Sequence, residues 1–148
     1  MDARVGRDDL DFEYEEVVRD FISEWECEHS WDSAQIERIL DHMAPEAKYH
    51  VFAWEEPFVG HDAIRDELLR QAPGFRDTRE EIVNVASVGQ TVFVERRDWV
   101  TMNDERAGFH VVGVFEVDGD GKIAIWRDYL DSREITVKVG SRSGEAGA

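Results

Sequence analysis

The chain has 148 residues, and its 34 acidic against 17 basic side chains give a formal net charge of −17. That length suits one domain with a core of its own, and such acidity disfavours nucleic acid and anionic membranes as partners. Cys27 is the only cysteine, which excludes an intrachain disulfide.

Residues 1–11 read as a flexible acidic tail, and residues 1–32 together hold twelve acids against three arginines. Phe12 to about Glu28 reads as a helix, because Val17, Val18, Phe21, Ile22 and Trp25 fall on one stripe. Asp32 or Ser33 can cap a second helix that carries Ile36, Ile39, Leu40 and Met43 and stops before Pro45. Ala47 to Ala53 reads as a strand, broken by Glu55-Glu56-Pro57. His61 to about Gln71 reads as a third helix with Ile64, Leu68 and Leu69 inward, ended by Pro73-Gly74. Four strands follow, at Glu80–Val88, Thr91–Met102, Ala107–Val117 and Lys122–Asp131. Gly89-Gln90, Asn103-Asp104 and Asp118-Gly119-Asp120-Gly121 supply the turns between them. Ser132 to Val139 is a short closing segment, and residues 140–148 form a second flexible tail. Helices first and a meander of strands later is an α+β pattern.

Strand parity then singles out three charged residues. Successive side chains of a strand point to opposite faces, so Val92, Val94, Arg96, Asp98 and Val100 share one face. Three valines mark that face as buried. Asp128 in turn shares a face with Ala124, Trp126 and Leu130. Unpaired charges on such surfaces cost several kcal/mol each, and an arginine between two inward carboxylates resolves the problem. Two carboxylates close together resist ionising together, so one keeps its proton. Arginine holds both but supplies no proton. The product is one general acid facing one general base. A buried ion-pair network that only fixes strand register is the competing reading.

The stretch Val94-Glu95-Arg96-Arg97-Asp98-Trp99-Val100, with Gly113-Val114-Phe115, Gly121-Lys122-Ile123 and Trp126-Arg127-Asp128-Tyr129-Leu130-Asp131, resembles the limonene-1,2-epoxide hydrolase family of the SnoaL-like and nuclear-transport-factor-2-like superfamily. The likeness includes Gly60-His61-Asp62-Ala63-Ile64 and implies one domain over residues 12–139. It implies a curved mixed or antiparallel sheet wrapped around N-terminal helices, a cone-shaped α+β barrel with one internal pocket. It also implies a cofactor-independent epoxide hydrolase: Asp98 protonates the epoxide oxygen, Asp128 activates water, and Arg96 bridges the two. Tyr49 would help to seat the water. The family pairs that tyrosine with an asparagine two residues on, where this chain has Val51. In a second register of Tyr49-His50-Val51-Phe52, His50 and Phe52 point inward instead.

Val51, Val100, Phe109, Val111 and Leu130 are the expected walls of the substrate pocket, with Trp31, Trp54 and Phe58 as candidates for its entrance. His110 and Tyr129 should point outward. The expected partners are a small apolar epoxide and water. Outward Phe93 and Trp99 point to a homodimer through the outer sheet face. The five histidines fall in no zinc spacing, and no nucleotide-binding motif is present. No metal or other cofactor is therefore expected. No apolar run approaches the about 20 residues of a membrane span, and a cytoplasmic protein is expected. An isomerase or epoxide-opening cyclase using the same carboxylates, or a non-catalytic small-molecule-binding module, are the alternatives.

Overall fold

A computed structural model of the chain describes residues 9–135. The elements in order are α1 (Asp9–Ser23), α2 (Ser33–Asp41), β1 (Met43–His50), β2 (Phe58–Val59) and α3 (Gly60–Gln71), then β3 (Arg76–Val88), β4 (Thr91–Met102), β5 (Glu105–Val117) and β6 (Ile123–Tyr129). All six strands form one sheet in the order β2-β1-β6-β5-β4-β3. The β1–β6 pair is parallel and the others are antiparallel. The sheet curves around the helices without closing, because its edge strands β2 and β3 do not pair.

Helix α1 lies against β3, β4 and β5. Its apolar stripe buries Val18, Phe21, Ile22 and Trp25, and Phe21 meets Trp25, Phe115 and Trp126 edge-on at 5.3–6.0 Å between ring centres. Edge-to-face pairs of this kind add about 0.5–1.5 kcal/mol each beyond the area they bury. Asp32 caps α2 by accepting the Gln35 N–H at 2.8 Å. The β4–β5 hairpin turns at Asn103 and Asp104, whose φ values of 51° and 62° match the left-handed turn that twisted strands favour.

Several expected boundaries shift. Helix α1 begins inside the expected tail and ends at Ser23 rather than near Glu28. Strand β1 starts at Met43 instead of Ala47, so it runs through Pro45. Its register on β6 slips between Met43 and Lys48, and proline is tolerated at such irregular ladder positions. The strand also ends at His50 rather than Ala53, and Phe58-Val59 pairs with Tyr49 and Lys48 as a short strand that period alone did not reveal. Leu69, expected inward, is exposed; buried Glu67 takes its place and is held by Arg70 and by Gln71 at 2.9 Å. Residues 132–135 form a single helical turn. The rest of the closing segment and the C-terminal tail lie outside the described residues. Among the described residues no helix is long and apolar enough to cross a membrane.

Candidate active site

The inward face of β4 is the one that parity selects. Val92, Val94, Arg96, Asp98 and Val100 are all buried, and Arg96 is 1% exposed. A guanidinium so placed must be paired, and it is. Arg96 Nε and Nη2 donate to Asp98 Oδ1 and Oδ2, both at 3.0 Å, while Nη1 and Nη2 donate to Asp128 Oδ1 and Oδ2 at 3.2 and 3.1 Å. The planar fork thus grips one carboxylate on its own strand and another two strands away, geometry that lysine cannot supply.

Space for that fork comes from Gly113, which lies between Val94 and Asp128 in the sheet ladders. A Cβ at Gly113 would stand 2.5 Å from Arg96 Nη1. The glycine was visible in the sequence, but only the cross-strand register assigns it this part.

Asp128 Oδ1 also accepts the indole N–H of Trp126 at 2.8 Å. Burial pushes the Asp128 carboxyl above its usual range, with the Asp98 charge acting in the same direction and the Arg96 and Trp126 bonds opposing it. Burial also works against the charge of Arg96, but the carboxylates of Asp128, Asp98 and Glu80 outweigh it and hold the guanidinium firmly protonated. A carboxyl poised above its ordinary value beside a fixed cation is suited to taking a proton from a nucleophile.

Tyr49 is buried and stacks on Trp126, with ring centres 4.6 Å apart and planes 13° apart. Its phenol is raised by burial and by the Asp128 charge, with Gln71 as a hydrogen-bonding neighbour. His50 points away from the cavity, its Nδ1 lying 2.8 Å from the Glu55 carbonyl. Strict alternation does not continue past His50, because the strand ends there, so Val51 and Phe52 both reach the cavity wall. Gln71, at the end of α3, also lines the cavity, its amide donating to Glu67 Oε1 at 2.9 Å. No motif in the sequence marks Gln71.

These groups open onto a cavity of about 370 Å³ with a mostly apolar lining, within the about 300–1,000 Å³ usual for small-molecule sites. Of the expected walls, Val51, Val100, Phe109 and Leu130 line it. Val111 does not. It is buried as the ladder partner of Arg96. Trp31 lines the cavity, but Trp54 is 62% exposed and stacks on Phe52 instead, while Phe58 packs against the core. His110 faces outward and meets Glu134 Oε1 at 2.9 Å, and Tyr129 is outward and exposed.

One acidic residue on the wall was not anticipated. Glu80 on β3 is the ladder partner of Asp98 and lines the cavity beside it. Between Ile82 and Asn84 the β3–β4 register slips, so Glu80 and Ile82 share the inner face although Val85, further along, also packs against the core. A straight strand with Val83 and Val85 inward would have turned Glu80 outward. Among the described residues no group of three or more His, Cys, Asp or Glu is placed to hold a metal ion.

Residues 59–140 match the family model described as the limonene-1,2-epoxide hydrolase catalytic domain. Epoxide hydrolase EphG of Mycobacterium tuberculosis is 42% identical over 64 residues, which cover 43% of this chain and 42% of that protein. The match therefore spans less than half of the relative's length. Among solved structures, an M. tuberculosis LEH-like epoxide hydrolase superposes with a TM-score of 0.71 at 22% identity, over 91% of this chain and 98% of that one. A SnoaL-like polyketide cyclase from Jannaschia sp. CCS1 gives 0.75 at 17%, over 89% and 94%. SalBIII, an epoxide hydrolase/cyclase-like enzyme of pyran ring formation in salinomycin, gives 0.70 at 16%, over 83% and 94%. At these identities the structural likenesses show a shared fold.

Proposed function

The chain belongs to the limonene-1,2-epoxide hydrolase family, and we propose that it opens a small apolar epoxide to a vicinal diol in one general acid/base step. The observation that carries this reading is Arg96 bridging Asp98 and Asp128 through four hydrogen bonds at the wall of an apolar cavity. Asp98 is the acid that delivers a proton to the epoxide oxygen as the C–O bond breaks. Asp128 removes a proton from the attacking water, and Arg96 holds both carboxyls at the reacting atoms while charge moves between them. Tyr49 supplies a hydroxyl near Asp128 for seating the water, with Gln71 beside it. The apolar walls exclude competing polar ligands and strengthen each of these interactions. The reading needs no covalent enzyme intermediate.

A second reading has one observation in its favour. Val51 puts an apolar side chain where the family has a water-seating asparagine, which suits a nucleophile belonging to the substrate, as in an epoxide-opening cyclisation. Turnover of a cyclic terpene-like epoxide in ¹⁸O-labelled water separates the two. Hydrolysis places one solvent oxygen in a diol, whereas a cyclised or isomerised product with no label refutes it. The proposal extends to a homodimer through the outer sheet face, where Phe93 is exposed; Trp99, expected outward beside it, is only half-exposed, carries the Arg97 guanidinium 4.5 Å over its ring and borders the cavity. Sedimentation as a monomer at micromolar concentration would refute that association.

A further inference from the structure

The Asp98–Arg96–Asp128 cluster has a third carboxyl, Glu80, and the hydrolase reading leaves it without a part. Cβ atoms of directly paired antiparallel residues stand about 4.5–5.5 Å apart, and like charges placed so destabilise the pair. Glu80 and Asp98 are paired in this way. Arg96 is bonded to two of the three carboxyls, so a fully ionised cluster would leave the third charge in an apolar pocket with no hydrogen-bonded cation. Arg96 spends all four of its hydrogen bonds on Asp98 and Asp128, and among the described residues no hydrogen bond reaches the Glu80 carboxyl.

Glu80 also has a second outlook. Besides the cavity it borders an outer cleft lined also by Glu26, Arg79, Glu81, Trp99 and Arg106. Glu80 is half-buried between these two spaces. Burial is the largest influence on it, followed by the Asp98 charge. Asp128 and Glu26 act in the same direction, Arg96 opposes them, and the carboxyl is held well above its ordinary range.

We infer that Glu80 is the proton store of the site, returning a proton to Asp98 after each turnover and refilling from the outer cleft. The inference rests on the hydrolase reading. Ring opening leaves Asp98 ionised, its proton now on the new hydroxyl, and Asp128 protonated by the attacking water. Before the next cycle Asp128 must lose one proton and Asp98 must gain one. Glu80 gives its proton to Asp98, directly or through one water, and takes another from solvent in the cleft. Asp128 releases its own to solvent as the diol leaves, so the count closes. Glu80 acts through Asp98 and need not touch the epoxide.

The test is Glu80→Gln in the full chain, with Glu80→Asp beside it, followed by infrared spectroscopy, single-turnover and steady-state assays. At neutral pH the Gln variant should lose a protonated-carboxyl C=O band that wild type and Glu80→Asp both show. Its first turnover should stay close to wild type while kcat falls by about 10²-fold, giving a burst. Its alkaline limb should descend at lower pH, because Asp98 then draws protons only from solvent, and Glu80→Asp should recover most of the rate. An unchanged infrared spectrum overturns the inference by showing that Glu80 carries no proton. A folded Gln variant with wild-type kcat and pH profile overturns it by showing that the proton is not used. Failure of wild type to hydrolyse any epoxide removes the hydrolase reading and the inference together, an outcome distinct from both.

Discussion

Gly113→Ala tests whether the arginine fork must lie where it does. The added methyl would stand 2.5 Å from Arg96 Nη1, 2.6 Å from Phe115 Cε2 and 3.0 Å from its Cζ. Ordinary contact begins near 3.4 Å, so a displacement of about 1 Å is required. Phe115 is fully buried against Phe21 and Trp126 and has little room to move. Nη1 is the free end of a longer side chain, but it donates to Asp128 Oδ1 at 3.2 Å, and 1 Å more breaks that bond. A hydrogen bond to a charged group is worth about 1.5–3 kcal/mol, which is roughly 10–10²-fold in rate if it is made in the transition state. Overpacking adds about 1–3 kcal/mol of destabilisation. The assay is kcat/KM for epoxide hydrolysis with a thermal melt, using Gly119→Ala as control because no atom lies within 4 Å of its added Cβ. Gly113→Ala with wild-type activity and melting temperature would refute the claim that the ladder fixes the fork.

Asp98→Asn and Asp128→Asn should each lower hydrolysis by about 10²–10⁴-fold with unchanged circular dichroism. The double variant should be little worse than either, since the two act as a unit. The same Asp128→Asn variant should melt at or above wild type at pH 7. Its carboxyl is held above the ordinary 3.8, so the stability it contributes is full only below that value and is lost as pH rises through the folded-state value. The advantage of the amide should therefore vanish in melts below about pH 4. Tyr49→Phe keeps the stack on Trp126 and removes only the hydroxyl, so kcat should fall by about tenfold or less, with little change in melting temperature.

The legible part of this protein was its alternation. In β4 three valines every second residue declare the inner face, and whatever shares their parity must follow them inward; hence Arg96 and Asp98 were readable before any fold was known, and Asp128 by the same logic beside Trp126. The helical stripe of α1 and the Asp32 cap are equally local properties, set by side-chain periodicity and one backbone N–H. What the sequence could not carry were events that depend on a neighbouring strand. The register slip in β3 reverses parity and turns Glu80 into the cavity. The end of β1 at His50 lets Val51 and Phe52 both reach the wall, and the close of α3 brings Gln71 beside Tyr49. Gly113 marks that division: its identity is written in the chain, but its purpose is the space it leaves across the ladder for the guanidinium of Arg96. Periodicity fixes which face a residue takes, whereas pairing across strands fixes what it meets there.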